Sequence, residues 1–209
     1  IMMVLRFFAG PIVHKLSPIG LLIASSVLAI AGLFALSKTG DSGLGLIVAA
    51  ATLYAFGKTF FWPTMLGVTS EQCPKGGSLS LNAISGIGMI AVGVLGFPFI
   101  GLLQDKTASA ELAVNAPATA KMVLQEKEVF GIRYEAIDSS KKEAAIAAGG
   151  KDAEQQLEDA NKAGQFTALG KMAYFPAFML VCYILLFLYF KGKGGYKPIE
   201  LNTSSGMEY

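Results

Sequence analysis

The chain separates its apolar and polar positions into long blocks. Four blocks are almost free of charge: residues 16–37, residues 42–70 with Lys58 as their single charged side chain, residues 76–104 and residues 172–190. A bilayer core about 30 Å thick requires about 20 apolar residues in an α-helix. The blocks therefore predict an all-α, polytopic helical membrane protein. Its transmembrane spans are expected at about 17–37, 44–70, 78–103 and 171–190.

Residues 1–15 resemble the end of an earlier apolar span that Arg6 interrupts. The chain starts within this apolar run and shows no basic leader or cleavage site of a secretory signal. We expect a fragment that lacks its natural N-terminus. The alternative interpretation is a complete four-span protein that starts at Met2 or Met3.

One long polar block, residues 104–170, lies between the third and the last predicted span. It holds 11 of the 15 acidic residues of the chain. Three of its segments, residues 118–130, 139–148 and 151–164, favour helix. Large apolar residues are too sparse for a sizeable core, so we expect a few mobile surface helices with flexible joints at Gly149 and Gly150. The abundant carboxylates fit a solvated face better than an acid/base pair.

Composition and charge exclude several function classes. A net charge of +2 without a basic stripe is unsuited to a row of phosphates, so no nucleic-acid partner is expected. Two cysteines and one histidine provide neither a disulfide scaffold nor a zinc site. The glycines of the third span follow no strand and precede no Gly-Lys-Ser/Thr, which argues against a nucleotide-binding loop. We therefore expect no cofactor, no metal and no enzymatic activity.

Basic residues in the short loops predict the orientation. If the four spans alternate, one side of the membrane carries Arg6, Lys15, Lys75, Lys191, Lys193 and Lys197, and the other carries Lys38, Lys106 and Lys171. The side with more basic residues is expected to be cytoplasmic. Block 104–170 is then an extracytoplasmic loop, and residues 191–209 form a cytoplasmic tail that we expect to be disordered.

The second span carries the most informative side chains. Tyr54, Lys58 and Trp62 follow one another at helical spacing, and Phe61 lies beside their stripe. Counted from Leu44, Lys58 lies about 21 Å into the helix, past the middle of the bilayer. A lysine at that depth costs about 2.5 to 3.5 kcal/mol on insertion scales, so it is expected to face a water-filled cavity or a carboxylate.

Pro63 adds a second signal to the same span. Because proline has no N–H, it removes the helical partner of the Thr59 carbonyl and predicts a bend with a polar notch there. The functional interpretation is that Lys58, Tyr54, Thr59, Phe61 and Trp62 bind substrate. The structural alternative is a lysine paired with an acidic residue on a helix outside this chain.

Residues 6–106 resemble the C-terminal half of a major facilitator superfamily transporter. The run Gly10–Pro18 is similar to the family's loop motif Gly-x-x-x-Asp-Arg-x-Gly-Arg, with Gly10 and Lys15 kept and His14 and Ser17 as departures. The run GKTFFWPTMLGVTSEQCPKGGSLSLNAISGIGMIAVGVLGFPFIG resembles the tenth helix, a short cytoplasmic turn and the glycine-rich eleventh helix. Residues 172–190 stand where the twelfth should be. The 67-residue loop before them departs from the family, in which that loop is short.

The resemblance implies secondary active transport of a small solute by alternating access, with the helix of Lys58 lining the central cavity. The expected partners are a small-molecule substrate, with or without a coupling ion as in a symporter, the lipid bilayer and the missing N-terminal half of the transporter. The expected location is the bacterial inner membrane. The alternative, from another function class, is a complete four-span membrane subunit whose extracytoplasmic loop binds a partner protein.

Overall fold

The computed structural model describes Met3, residues 16–40 and residues 42–199. The protein is mostly helical, at 82%. Among the described residues, four helical stretches are long and apolar enough to cross a membrane: Pro18–Ser37, Leu44–Gln72, Pro74–Asn115 and Ser139–Gly192. The prediction of a helical protein with four such stretches is therefore confirmed. The loop motif with His14 and Lys15, the basic Arg6, and the tail from residue 200 onward lie outside the described residues.

The apolar stretches are built from helices that begin and end at turn-forming residues. They are α1 (Pro18–Ser37), α2 (Leu44–Thr59), α3 (Phe61–Gln72), α4 (Gly77–Ala91) and α5 (Phe97–Asn115). A 3₁₀ turn, Pro74–Gly76, precedes α4, and a π-helical segment, Val92–Gly96, joins α4 to α5. Helix α1 starts where the Gly20 N–H donates to Ser17 Oγ at 3.1 Å, with Pro18 as its first residue. This is the usual N-cap arrangement.

The described residues form two compact units. The first contains residues 16–32, 51–90 and 174–199, and it includes the final helix of the chain. In this unit α1 and α2 approach closely through two glycines. A Cβ atom on Gly32 would lie 2.5 Å from backbone atoms of Tyr54, and one on Gly57 would lie 2.8 Å from the Ala29 Cα. Small residues at such crossings let helices pack without a hydrophobic driving force between them.

The second unit contains residues 33–50 and 91–173, and the polar block 104–170 folds within it. After α5 come α6 (Pro117–Val123), a β-hairpin and the long helix α7 (Ser139–Met172), which ends just before α8 (Tyr174–Gly192). The hairpin pairs β1 (Leu124–Val129) with β2 (Ile132–Ile137) in an antiparallel register from Leu124↔Ile137 to Val129↔Ile132.

The hairpin corrects the all-α prediction. Of residues 118–130, for which the sequence favours helix, residues 118–123 lie in α6 as expected, whereas Leu124–Val129 form β1. Ile132, Tyr134 and Ala136 alternate with polar residues along β2, and this period of two fits a half-buried strand. The turn between the strands is Phe130-Gly131, in which both residues have positive φ. The pattern suits a two-residue hairpin turn, and it outweighs the helical propensity of Gln, Glu and Lys in β1.

A small core also corrects the expectation for this block. Leu112, Val123 and Leu157 are fully buried at its centre, and four alanines complete the cluster, namely Ala116, Ala120, Ala145 and Ala160. Helices α5 and α7 meet closely enough that a Cβ on Gly164 would lie 2.8 Å from the Ala108 Cβ. The small number of large apolar residues suggests less packing than the block has, because alanine and glycine let α5 and α7 pack at short range.

Helix α7 is interrupted once. Gly150 has φ 62° and ψ −148°, which are not helical, at one of the two glycines where the sequence predicts a joint. Asp138 caps the start of the helix, and its carboxylate accepts hydrogen bonds from the Ser140 N–H at 2.9 Å and the Ser140 hydroxyl at 2.8 Å. These bonds hold the pKa of Asp138 below its usual range, because they stabilise the charged form.

The start of the C-terminal tail differs from the predicted disorder. Within the first unit, the Tyr196 hydroxyl donates to Glu71 Oε2 at 2.5 Å, and the Ile199 N–H donates to the Glu71 carbonyl at 2.9 Å. The Gln72 side chain donates to the Lys197 carbonyl at 2.9 Å. Burial and the bond to Glu71 raise the pKa of Tyr196 to about 12. Residues 196–199 thus form a clasp on the end of α3, a role that sequence polarity does not reveal.

Candidate substrate pathway in the second apolar helix

The second apolar helix is interrupted where α2 ends at Thr59 and α3 begins at Phe61. Between them, Phe60 has φ −97° and ψ −9° and is 7% exposed. Pro63 lies in the first turn of α3, where a missing N–H is tolerated. The Thr64 N–H then donates to the Phe60 carbonyl at 3.1 Å and restarts the helical bonding. The interruption therefore falls within four residues of Pro63.

Tyr54 and Lys58 lie together, one turn apart on α2. The Lys58 Nζ is 5.9 Å from the centre of the Tyr54 ring, which is within the range of a cation–π interaction. Lys58 is exposed at the surface of the helix, while Tyr54 is half-buried. The ring therefore gives the ammonium an aromatic neighbour on an otherwise apolar helix.

The charge of Lys58 has no counter-charge close by. Across residues 16–40 and 42–199, no carboxylate oxygen lies within 4.0 Å of its Nζ. The described ion pairs are Lys127–Asp105 and Arg133–Glu128, both in the second unit. A lysine that is unpaired in an apolar helix requires water, an anionic group or a carboxylate from elsewhere once the helix lies in a bilayer.

Thr59 is turned into its own helix. Its side chain is 1% exposed, and its hydroxyl donates to the Ala55 carbonyl at 2.6 Å. This bond satisfies the Thr59 hydroxyl within α2. Thr59 therefore supports the helix at the interruption, and a substrate would contact it only after a local rearrangement.

The two aromatic residues after the interruption contact different helices. The Phe61 ring stacks on Tyr183 of α8 with 6.5 Å between ring centres. The Trp62 ring lies against Gly88 of α4, where an added Cβ would be 3.3 Å from the indole. Trp62 keeps 42% of its surface exposed. The structure thus brings Tyr54 and Lys58 together and directs Phe61 and Trp62 toward two neighbouring helices.

The residues that position this segment belong mainly to other helices, and sequence reasoning missed them. Gly32 and Gly57 bring α1 against α2 beside Tyr54 and Lys58, and Tyr183 and Gly88 receive the two aromatic rings. Gly57 has a packing role, because it lies in the contact with α1. Comparison of the chain with protein-family models, curated proteins and solved structures gives no match.

Proposed function

We propose that this chain is the C-terminal part of a secondary active transporter, which moves a small solute across the bacterial inner membrane by alternating access. The observation that carries the proposal is Lys58, an exposed cation without a described counter-charge in an apolar helix. In such transporters the substrate binds near the membrane midplane, and interrupted helices commonly form the site. The interruption at Phe60, two residues from Lys58, supports this assignment.

Lys58 and Tyr54 favour an anionic or hydroxyl-rich solute. An ammonium recognises negative charge, and the hydroxyl of tyrosine both donates and accepts hydrogen bonds. Phe61 and Trp62 provide apolar walls on the far side of the interruption, and Pro63 provides the break at which the helix bends. In such a transporter an N-terminal half would supply the opposing wall of the cavity, and a coupling ion is an optional further partner.

The test is uptake by the full-length protein with a panel of sugars, nucleosides, amino acids and organic anions. Lys58→Ala is expected to abolish uptake at unchanged abundance in the membrane, whereas Lys58→Arg retains the charge and part of the activity. Lys38→Ala is the matched control, because Lys38 lies in the loop after α1. Reduced abundance of Lys58→Ala would instead indicate a structural ion pair with a helix outside this chain.

Cysteine accessibility provides an independent readout. In a background without Cys73 and Cys182, the thiol of Lys58→Cys is expected to react with a water-soluble reagent, and substrate is expected to slow the reaction. If this thiol never reacts and Lys58→Ala transports normally, the pathway lies elsewhere.

The orientation is tested by reporter fusions. Alkaline phosphatase fused at Gly150, where α7 is already interrupted, is expected to be active, and a fusion after Lys193 is expected to be inactive. The opposite pattern would overturn the proposed orientation.

A deletion separates the transporter from the four-span subunit with a partner-binding loop. Ala108 and Gly164 lie side by side, so a short linker can replace residues 107–163 without pulling α5 and α7 apart. Retained uptake would support transport by the helices alone. Complete loss of function in a correctly inserted protein would favour the loop as the functional part.

A further inference from the structure

The tip of the β-hairpin exposes two large apolar side chains. Phe130, in the turn, is 53% exposed, and Ile132, the first residue of β2, is 47% exposed. Along β2, Ile132 shares its face with Tyr134 and Ala136, which are buried. The apolar face of the hairpin therefore continues past its packed part to an uncovered end.

The hairpin runs along α5, with its base and its tip at different levels of that helix. At the base, Leu124 and Ile137 pack on the cluster that contains Leu112. At mid-length, Lys127 Nζ and the Tyr134 hydroxyl lie 3.4 and 3.5 Å from Asp105 Oδ2. Val129, the last residue of β1, packs on the cluster that contains Leu102. The tip therefore points toward lower residue numbers of α5.

Those lower numbers are the apolar part of the helix. No charged residue occurs from Gly76 to Gln104, and Asp105 is the first acidic residue after this block. Beyond Val129 the turn extends by about 3 to 5 Å, given about 3.3 Å per strand residue. That distance corresponds to two or three helical residues at about 1.5 Å each. Phe130 thus lies at the level of the last residues of this uncharged block, a few positions before Gln104.

The two faces of the hairpin differ in polarity. The opposite face of the strands is polar and exposed, with Glu126, Glu128, Arg133 and Glu135. Arg133 and Glu128 form an ion pair at 3.3 Å just before the tip. The strands are therefore amphipathic, and the exposed apolar residues of the hairpin, Phe130 and Ile132, lie at its tip.

Phe130 is also an unusual residue for its backbone conformation. Its φ of 54° is in the left-handed region, where a β-carbon costs energy and Asn, Asp or Gly are preferred. The second position of the turn avoids this cost, because it is Gly131, with φ 76° and no β-carbon. Strain at such a position is often associated with function, and here the exposed aromatic ring is the group that the strained residue presents.

We propose that Phe130 and Ile132 insert into the lipid interface on the side of the membrane that holds the polar block. This inference rests on the proposed function in one respect, that the helix of residues 77–115 crosses the bilayer. Phenylalanine and aliphatic side chains on the apolar face of an amphipathic segment bury at the boundary of headgroups and acyl chains, while the polar face stays in water. The level of the tip on α5 favours lipid over a protein partner, since the tip lies beside the last residues of the uncharged block 76–104.

Quenching of tryptophan fluorescence by brominated lipids tests the proposal. Trp62 is the single tryptophan of the chain, so Trp62→Phe gives a dark background for the chain reconstituted in phosphatidylcholine vesicles. Phe130→Trp, in this background, retains an aromatic ring at the tip. Val94→Trp places a probe in the apolar block and is the positive control for lipid contact. Val114→Trp places a probe at an exposed site of α5, about 18 Å beyond Leu102, and is the negative control.

The expected result is several-fold stronger quenching of Phe130→Trp than of Val114→Trp, with the strongest effect from bromines close to the headgroup. Quenching of Val94→Trp without quenching of Phe130→Trp would overturn the lipid contact and leave the transporter proposal intact. An unquenched Val94→Trp would remove the membrane premise and overturn both. Shielding of Phe130→Trp from both lipid bromines and aqueous iodide would indicate a protein contact and would also overturn the proposal.

A second variant separates lipid contact from a structural role of the ring. Phe130→Asn creates a favoured Asn-Gly turn, so the thermal midpoint is expected to be unchanged or higher. Quenching of a probe placed by Ile132→Trp is expected to fall several-fold when Phe130→Asn is added. A lower midpoint with unchanged quenching would show that Phe130 stabilises the hairpin and does not contact lipid.

Discussion

Replacement of Gly57 by alanine is expected to destabilise the contact between α1 and α2. The added Cβ would lie 2.8 Å from the Ala29 Cα and the Ser25 carbonyl oxygen, and closer still to the Ala29 nitrogen. Carbon atoms in contact normally lie about 3.5 to 4.0 Å apart, so the helices would have to separate by about 1 Å. Backbone atoms form the obstacle, so rotation of a side chain cannot relieve it.

Two opposing energies set the size of the effect. Overpacking of this kind costs about 1 to 3 kcal/mol, whereas alanine favours the helix over glycine by about 1 kcal/mol. Since a whole helix must move, we expect a net loss of about 1 to 2 kcal/mol for Gly57→Ala. Gly67 lies in α3 with nothing within 4 Å of an added Cβ, so Gly67→Ala is expected to gain up to about 1 kcal/mol.

The assay is thermal unfolding of both purified variants in the same detergent. One kcal/mol shifts the midpoint by about 2 to 4 °C in a chain of this size, so the two variants are expected to differ by about 2 to 12 °C. Gly32→Ala, with its close approach to Tyr54, is expected to behave like Gly57→Ala. Equal midpoints for Gly57→Ala and Gly67→Ala would refute the close packing of α1 on α2.

Two further perturbations test the tail clasp and the start of α7. Tyr196→Phe removes the bond to Glu71, so trypsin is expected to cut after Lys193 several times faster. Unchanged cutting in this variant would contradict the clasp. Because the pKa of Tyr196 is raised to about 12, the clasp is expected to be stable up to about pH 10 and to weaken as the pH rises toward 12. Asp138→Ala is expected to lower the thermal midpoint at pH 7, and the part of this deficit that depends on the carboxylate charge is expected to be lost as the pH falls through the lowered pKa of Asp138. An equal deficit at pH 3 and pH 7 would contradict a role of the charge.

The helices of the fold could be predicted because length and polarity alone determine where an apolar chain can cross a bilayer. The hairpin could not be predicted from helix propensity, since Gln125, Glu126 and Lys127 favour helix while the turn at Phe130-Gly131 and the alternation after it favour strands. The core of the polar block depends on alanine contacts between α5 and α7, which become visible only when the two helices are placed together.

For the candidate site, sequence spacing correctly placed Tyr54 and Lys58 next to each other, since residues four apart on a helix are neighbours. The spacing did not predict the separation of Phe61 and Trp62, because their contacts with Tyr183 and Gly88 depend on packing between helices. The clasp at Glu71 was likewise hidden, since its partner Tyr196 lies 125 positions away in the chain.

The π-helical segment Val92–Gly96 has a consequence for insertions and deletions in this region. A π turn holds one residue more than an α turn, and such turns occur mostly as single bulges within α-helices. Loss of one residue elsewhere in α4 or α5 would rotate everything beyond it by about 100°, since a turn has 3.6 residues. Loss of one residue inside Val92–Gly96 would convert the bulge to ordinary α-helix and keep the faces of α4 and α5 in phase. Homologous chains one residue shorter at this point are therefore expected to retain the same helix contacts.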